Sequence, residues 1–471
     1  MKPSIQVSPV HAARRETLLW CLLLFALGLL LRVAYLHFQG IASPENDAKE
    51  YATLARHLAE GRGFTVDGLT PSTYRPPLFS WLLGGWCYLL RSSSLSTMVA
   101  FQTLVQTLCS PLTYLLLRQI GQNGRTALTG GLFVAAYPFI VSTVGQLLQE
   151  PTQMLMAIGI GVATVAWCRQ PFTSRAAVCG LLFGLAALAK SPFLVVQPVV
   201  LLVWSLGRDF RRQLPFRQIV LACVVATAVV LPWTLRNYRV SGGEFILINS
   251  QNLTYPVWLV ADDNFYPRYS LSEPLQETFT PQKGVALTYG NKSGVDFLIR
   301  TNEELLRMGE SGIGIRKGLA TAARAYLVRH PLYLLRITAR GAVLLFSPDA
   351  SAGLSRFLVA RIVAMILFHL PLAAGLVIGI VRAARERNAA LMALALFAMA
   401  YLLAHAPGTG GGGRYSVPLL PILMAVGSYG LWGDRSASSF RMTTSSRVPN
   451  SSGQSSSTLS SRFIQGSHLS G

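Results

Sequence analysis

Charged residues are scarce in this sequence, and acidic residues are the scarcest: Asp and Glu number 20 among 471 residues, against 41 Lys and Arg. Only 13% of the residues are charged and 51% are hydrophobic, with a mean hydropathy of +0.43. Soluble globular domains carry about 25% charged residues. The composition therefore argues against a soluble protein and is typical of a membrane protein with several spans.

Several motifs that would carry chemistry are missing as well. No CxxC pair or His/Cys cluster occurs, and no close pair of carboxylates on one helix argues for a bound metal, so we predict neither a metal nor a cofactor. No Gly-rich phosphate loop follows a strand, which argues against a nucleotide-sugar donor. The six cysteines all lie in apolar segments: Cys21, Cys87, Cys109, Cys168, Cys179 and Cys223.

The basic excess follows the order of the apolar segments. A formal net charge of +21 would suggest nucleic acid as a partner of a soluble protein, but most of the basic residues here fall in short loops. Such loops are typical of the cytoplasmic side of a membrane protein. We therefore predict no nucleic-acid partner and a charge pattern that reports membrane topology.

Ten apolar segments are candidates for spanning helices, which need roughly 20 residues each. They cover residues 17–37, 96–117, 126–147, 152–168, 175–190, 192–206, 217–235, 357–381, 389–405 and 415–432. The predicted cytoplasmic loops carry Lys2, Arg14, Arg15, Arg118, Arg125, Arg169, Arg175, Arg208–Arg217, Arg382–Arg387, Arg435 and Arg441. The chain is thus predicted to begin and end in the cytoplasm.

The domain organisation follows from these spans. We predict a cytoplasmic N-terminus over residues 1–16, a transmembrane domain over 17–432 and a serine-rich, disordered cytoplasmic tail over 433–471. The first helix lacks a small-residue cleavage site and is expected to be retained. Two long outer loops, 38–95 and 236–356, contain the apolar runs 78–90 and 329–346, which are expected to lie at the membrane surface.

A polar stretch, "SPENDAKEYATLARHLAEGRGF", follows the first span. Its apolar residues recur at Tyr51, Leu54, Ala55 and Leu58, a spacing that predicts a short amphipathic helix. "DAKE" fits a capping box in which Asp47 is the N-cap and Glu50 lies three residues later. Capping alone would explain the aspartate.

Six motifs follow one another along the chain: "NDAKEYATLARHLAEGRGF", "TPSTYRPPLFSWLLG", "LLQEP", "GLLFGLAALAKSP", "LPWTLRNYRVSG" and "GRYSVPLLPIL". In this order the sequence resembles the polyprenyl-phosphate-dependent glycosyltransferases of the GT-C class, and in particular the bacterial relatives of the protein O-mannosyltransferases and the lipid A aminoarabinose transferases. The resemblance covers residues 17–431. It implies an all-α polytopic membrane protein, a GT-C-like bundle of about 10–12 transmembrane helices with juxtamembrane helices on the outer face.

The resemblance also implies a function and a location. A sugar would pass from a polyprenyl-phosphate donor to a lipid, glycan or protein acceptor, on the periplasmic or extracellular face of a cell membrane, with a bacterial inner membrane expected. Asp47 matches the family's catalytic base, although the Asp-Glu pair of many members is Asp47-Ala48 here, so that the second carboxylate is either missing or replaced by Glu45. Glu150 matches an acidic residue near the active site.

Cations are needed because the leaving group is a phosphate. The residues expected at the right depth to bind it are Arg75, Lys190, Arg236, Arg414 and Tyr415. Each has a structural alternative: Arg75 would brace a turn, Lys190 would extend to the interface, and Arg236 would anchor a helix end.

Two other classes of protein share this composition. A transporter or lipid flippase for cell-envelope glycolipids is also polytopic and basic, but transporters tend to show internal repeats and charges at mid-membrane. No repeat is visible here, and the candidate charges gather at one face. A non-catalytic membrane subunit is the third alternative.

Overall fold

The computed structural model describes residues 9–194, 214–260, 267–270, 286–289, 317, 320–321, 324–325, 327–329, 331–345, 365–408 and 412–432. Within these residues the protein is helical apart from two short antiparallel strands, Pro267–Ser270 (β1) and Ala286–Tyr289 (β2). The predicted helical fold class is confirmed, and the strand pair is the one addition to it among the described residues.

The α-helices are α1 Pro9–Gln39, α2 Asn46–Ala59, α3 Pro77–Leu89, α4 Leu95–Gln119, α5 Gly124–Ala136, α6 Pro138–Ser142, α7 Glu150–Arg169, α8 Thr173–Ala189, α9 Phe216–Val240, α10 Tyr255–Val260, α11 Pro331–Leu345, α12 Leu370–Arg385, α13 Ala389–His405 and α14 Leu420–Trp432. A π-helical turn, Met365–His369, leads into α12. The 3-10 segments are Val144–Gln146, Ser250–Thr254, Ala406–Gly408 and Gly412–Leu419.

Five helices in the described part are long and apolar enough to cross a membrane: Arg14–Gln39, Leu95–Gln119, Glu150–Arg169, Phe216–Val240 and Tyr415–Trp432. Two shorter apolar helices, α8 and α13, have 17 residues each. The first helix begins at Pro9, eight residues before the predicted span. Most of the predicted span 192–206, the start of the span 357–381, and the tail 433–471 lie outside the described residues.

The centre of the bundle is formed by α4, α7, α13 and α14. In the most apolar 18-residue stretch of α4 and of α7, 67% of the residues are buried, whereas 17% are buried in the corresponding stretch of α1. The first helix therefore lies at the outside of the bundle, where five of its ten leucines are exposed and Leu24 packs into the core. The short helices α2 and α3 pack on each other, and Gly84 makes this possible because a Cβ there would meet the Ala55 carbonyl oxygen at 3.0 Å.

The predicted continuous helix over 126–147 is wrong. Helix α5 stops at Ala136, and Tyr137 turns to an extended ψ of 116° before α6 begins at Pro138. Proline lacks the N–H that would bond the carbonyl four residues back. The chain then continues through the 3-10 segment to Leu147, whose φ of 46° is left-handed.

Arg32 of α1 binds the carbonyl groups exposed by this break. Its Nη1 donates to Ala135 O at 3.1 Å, and its Nη2 donates to Val134 O at 3.3 Å. Its Nε donates to the Gln106 amide oxygen at 2.7 Å. Because Arg32 is fully buried, these bonds join α1, α4 and the broken segment at one point. The last two turns of α1, which lead toward α2, follow directly after this anchored residue.

Candidate active site

The predicted site residues gather at one end of the helix bundle. This end is formed by the C-terminal ends of α1, α8 and α13, by the N-terminal end of α7, and by the surface helix α2. Helix α2 begins at Asn46, as predicted within one residue, and buries Tyr51, Leu54 and Ala55. The predicted amphipathic helix is therefore present.

The predicted capping box is wrong. The N-cap of α2 is Glu45, which makes no side-chain cap bond, and Asp47 is the second helical residue. The carboxylates of Asp47 and Glu50 instead contact Arg75, 28 and 25 residues further along the chain. The reason for the acidic pair is thus a tertiary contact and not the start of the helix.

Arg75 is clamped between the two acids. Its Nη2 lies 2.6 Å from Asp47 Oδ1, and its Nε lies 2.5 Å from Glu50 Oε2. Its Nη1 donates to the Gln251 side-chain oxygen at 3.2 Å, and the guanidinium lies 4.9 Å from the centre of the Tyr74 ring. The arginine side chain is 4% exposed, whereas that of Asp47 is 35% exposed. Asp47 is therefore the acid of this group that solvent and substrates reach most easily.

Electrostatics keep Arg75 charged. Burial by itself lowers the pKa of the guanidinium, but the charges of Asp47 and Glu50 outweigh burial and raise the pKa well above its usual value. Two carboxylates facing one guanidinium leave a net charge of about −1. Arg75 orients the Asp47 carboxylate. The assignment of Arg75 to the binding of the donor phosphate stays a prediction.

We expect Arg75→Met to destabilise the protein by about 2 kcal/mol, because two carboxylates lose a buried partner while the exposure of Asp47 limits the loss. Arg75→Lys keeps the charge but reaches one acid at a time, and should lie between the wild type and Arg75→Met. Thermal unfolding in detergent measures both variants. Equal stability of the wild type and Arg75→Met would contradict the clamp.

Glu150 is the first residue of α7 and is 1% exposed. A negative charge is favourable at a helix N-terminus because it interacts with the helix dipole. The carboxylate is also close enough to the Tyr51 and Tyr401 hydroxyls to interact with them electrostatically. Burial raises the pKa of Tyr51 above its usual value; Arg75 opposes this, and Asp47 and Glu150 add to it. Tyr51 is therefore an electrostatic neighbour of both the Arg75 clamp and Glu150.

A chain of side chains leads from α7 to the end of α8. The Tyr401 hydroxyl donates to the Gln153 amide oxygen at 3.0 Å, and the Tyr401 ring lies 4.3 Å from that of His405. His405 stacks on Tyr415 at 5.3 Å, and Lys190 Nζ lies 4.5 Å from the centre of the Tyr415 ring. Lys190 and Tyr415, predicted together from sequence, are brought together.

Arg236 is placed differently. Its Nη1 donates to Ser72 O at 2.5 Å, its Nη2 donates to Phe64 O at 3.4 Å, and its guanidinium lies 4.6 Å from the centre of the Trp233 ring. These contacts brace the loop that leads to Arg75, which differs from the helix-end anchor expected as the structural alternative for Arg236. The assignment of Arg236 to the donor phosphate stays a prediction. The side chain of Arg414 lies outside the described residues.

Sequence reasoning missed Gln153, Tyr401, His405 and Gln251 as site residues. The spacing of Tyr401 and His405, four residues apart on one helix, is a signal that two aromatic side chains share a face. Nothing in the sequence connects either of them to Gln153. In the described part of the chain, no group of three or more His, Cys, Asp or Glu is arranged to hold a metal ion.

Comparison with known proteins gives both a sequence match and a fold match. Residues 74–234 match the family model described as dolichyl-phosphate-mannose-protein mannosyltransferase. No curated protein sequence matches the chain.

Among solved structures, the archaeal oligosaccharyltransferase AglB from Archaeoglobus fulgidus, in complex with an inhibitory peptide and a dolichol-phosphate, is 14% identical with a TM-score of 0.50. The match covers 87% of this chain and 50% of that chain. The same oligosaccharyltransferase in complex with Zn and sulfate gives 14% identity, a TM-score of 0.51, and coverage of 87% and 49%. ArnT from Cupriavidus metallidurans bound to undecaprenyl phosphate is 15% identical with a TM-score of 0.41. That match covers 88% of this chain and 78% of that chain.

The chain spans about half the length of the archaeal enzyme. The family match covers the segment from Tyr74 to Thr234, which includes Arg75, Glu150 and Lys190. The resemblance predicted from the six motifs is confirmed as a similarity: residues 74–234 match the mannosyltransferase family model, and the fold is similar to that of the archaeal oligosaccharyltransferase.

Proposed function

We propose that this protein is a membrane glycosyltransferase that moves a sugar from a polyprenyl-phosphate donor to a lipid, glycan or protein acceptor. One observation supports this best: an accessible carboxylate, Asp47, and a cation, Lys190, lie at the same end of a bundle that resembles GT-C enzymes. Glycosyl transfer from a lipid phosphate needs both groups, a base for the acceptor and a positive charge for the leaving phosphate.

Asp47 and Lys190 have different roles in the proposed reaction. The acceptor hydroxyl attacks the anomeric carbon, and Asp47 takes the hydroxyl proton as the new C–O bond forms. The bond between the anomeric carbon and the phosphate oxygen breaks, and its electron pair leaves with the polyprenyl phosphate. Lys190 stabilises the charge that develops on this phosphate. Arg75 holds Asp47 Oδ1 at 2.6 Å and so orients the carboxylate that is proposed to accept the proton.

The site is proposed to face the periplasm or the extracellular space, most simply at a bacterial inner membrane. The support is the sequence: the arginine-rich loops that follow α4 and α12 are at the opposite ends of their helices from the site residues. The transmembrane domain over 17–432, with outer loops 38–95 and 236–356, is part of this proposal. The long isoprenoid tail of the donor would then lie in the outer half of the bilayer.

The direct test is incubation of the purified protein with labelled polyprenyl-phosphate sugars and detection of released polyprenyl phosphate. Release that depends on Asp47 supports transfer. A flippase would move the labelled donor between the leaflets of a vesicle without releasing polyprenyl phosphate, so this outcome would replace the proposal by the transporter alternative.

Lys190→Ala is expected to weaken the binding of undecaprenyl phosphate by about tenfold or more, since a hydrogen bond to a charged group contributes about 1.5–3 kcal/mol. Native mass spectrometry or a fluorescence titration measures the affinity. Lys49→Ala is the matched control because Lys49 is an exposed lysine on α2, and its removal should leave the affinity unchanged. Wild-type affinity in Lys190→Ala would remove this residue from the phosphate site.

A further inference from the structure

Three buried polar atoms near the site have no hydrogen-bond partner within the described part of the chain. They are the Tyr51 hydroxyl, Nε2 of Gln153 and Nε2 of His405. Tyr51 and Gln153 are 0% exposed and His405 is 7% exposed. Buried polar groups are nearly always paired, because leaving one unpaired costs its full desolvation. A group of such atoms at a candidate active site points to a ligand.

Gln153 and His405 are joined by direct contacts through Tyr401, and Tyr51 shares Glu150 with Tyr401 as an electrostatic neighbour. Gln153 accepts from the Tyr401 hydroxyl, and the Tyr401 ring packs against His405. Glu150, one helical turn before Gln153, interacts electrostatically with the hydroxyls of both Tyr51 and Tyr401. Helices α2, α7 and α13 thus each contribute at least one unpartnered polar atom, and those of Gln153 and His405 meet through Tyr401.

The hydrogen-bonding character of each atom follows from its other contacts. His405 Nδ1 lies 3.0 Å from the Tyr401 carbonyl oxygen. A carbonyl only accepts, so Nδ1 carries the proton, and Nε2 of the neutral ring is an acceptor. The Gln153 amide oxygen accepts from Tyr401, which leaves its NH₂ group as a donor. The Tyr51 hydroxyl both donates and accepts.

A ligand that satisfies all three atoms must both donate and accept. A phosphate with no proton to donate only accepts, and it would meet the lone pair of His405 Nε2 unfavourably. Alcohol hydroxyl groups do both. The geometry points to a subsite for the hydroxyl groups of the donor's sugar ring, formed by Tyr51, Gln153 and His405. This inference rests on the proposed function and names the part of the donor that these residues bind.

The subsite lies between the two charged parts of the site. On one side, His405 stacks on Tyr415, over which Lys190 Nζ lies. On the other side, the Tyr51 ring lies 5.3 Å from the Arg75 guanidinium, which holds Asp47. A donor with its phosphate at Lys190 and its sugar at Tyr51 would present its anomeric carbon between the leaving-group cation and the base.

Tyr51→Phe is the sharpest test, because it removes only the hydroxyl and breaks no hydrogen bond described in the protein. We expect equal or higher thermal stability, since a buried unpaired hydroxyl is removed, together with at least about tenfold weaker binding of a polyprenyl-phosphate sugar. His405→Phe keeps a ring between Tyr401 and Tyr415 and should weaken sugar-donor binding in the same way. The affinity for undecaprenyl phosphate alone should change less than about twofold in both variants.

The probes are undecaprenyl phosphate and undecaprenyl-phosphate-linked mannose, glucose, galactose and aminoarabinose, titrated against the full-length protein in detergent. Gln119→Leu is the matched control, because it removes an amide bonded to Val162 O at 3.1 Å, at the opposite end of the bundle, and should change neither affinity.

The outcomes separate the two claims. If the protein binds undecaprenyl phosphate but binds no linked sugar more tightly, or if Tyr51→Phe and His405→Phe bind sugar donors like the wild type, the subsite is overturned while the proposed function stands. If the wild type binds neither undecaprenyl phosphate nor any linked sugar, the proposed function fails, and the subsite with it.

Discussion

Replacing Asp47 by asparagine is expected to lower sugar transfer by about two orders of magnitude or more, the usual scale for losing a general base. Asparagine cannot take the proton of the acceptor hydroxyl, but its oxygen still accepts a hydrogen bond from Arg75. Because Asp47 is not the N-cap of α2, the start of the helix is not disturbed. Release of polyprenyl phosphate by the purified variant measures the loss, and its elution volume and unfolding temperature report the fold.

Glu50→Gln is the matched control. It makes the same charge change on the other partner of Arg75, at 2.5 Å from Nε, but on an acid that is only 17% exposed. We expect it to retain transfer within about tenfold of the wild type, since it changes the orientation of Asp47 and not the base itself. An active Asp47→Asn variant would assign the base to another acid, and equal losses in both variants would show that the two acids share the role.

Arg32→Met is expected to cause the largest loss of stability, about 3 kcal/mol or more. Methionine fills part of the same space but donates nothing, so Gln106 and the carbonyl groups of Val134 and Ala135 lose their buried partner. Each unsatisfied buried group costs about 1–3 kcal/mol, although relaxation of the break recovers part of this. Thermal unfolding in detergent and the yield of folded protein are the measurements.

Arg15→Met is the control for Arg32→Met. It is the same substitution on the same helix, at an exposed position, and should leave the unfolding temperature unchanged. A folded Arg32→Met variant with wild-type stability would show that the break in the helix does not depend on the arginine.

The parts of the fold that follow from local periodicity were predictable from the sequence. The spacing of Tyr51, Leu54 and Ala55 predicted α2, and these residues are fully or almost fully buried. Apolar length predicted α4, α7 and α9 within a few residues at most ends. The order of six short motifs carried the family resemblance, because it combines weak signals over most of the chain.

The break after α5 shows why other parts were not predictable. Pro111 and Pro232 lie inside α4 and α9 without ending them, and prolines are tolerated in membrane helices when neighbours satisfy the freed groups. Pro138, in contrast, coincides with the end of a helix. The carbonyl groups freed at this break are bound by Arg32, about a hundred residues away in the sequence, and no local pattern reveals that contact.

The candidate site also has residues that the sequence indicated and contacts that it did not. Asp47 and Glu150 were singled out through the family resemblance, and Lys190 and Tyr415 by type and by position near helix ends. Their partners were not, because the contacts join distant parts of the chain: Tyr401 and Gln153 are separated by 248 residues. Capping was the structural alternative for the acidic pair of α2, because a local partner is visible in the sequence and the contact with Arg75 is not.

The first helix carries two kinds of position with different freedom to vary. Half of its ten leucines are exposed: Leu18, Leu19, Leu22, Leu23 and Leu30. Gly28 and Arg32 are different, because a Cβ on Gly28 would lie 3.3 Å from the Arg32 guanidinium, whose Nη1 donates to the Gly28 carbonyl oxygen. In a library of related chains, the lipid-facing leucines should therefore exchange freely with other apolar residues, while the glycine and the arginine are inherited together.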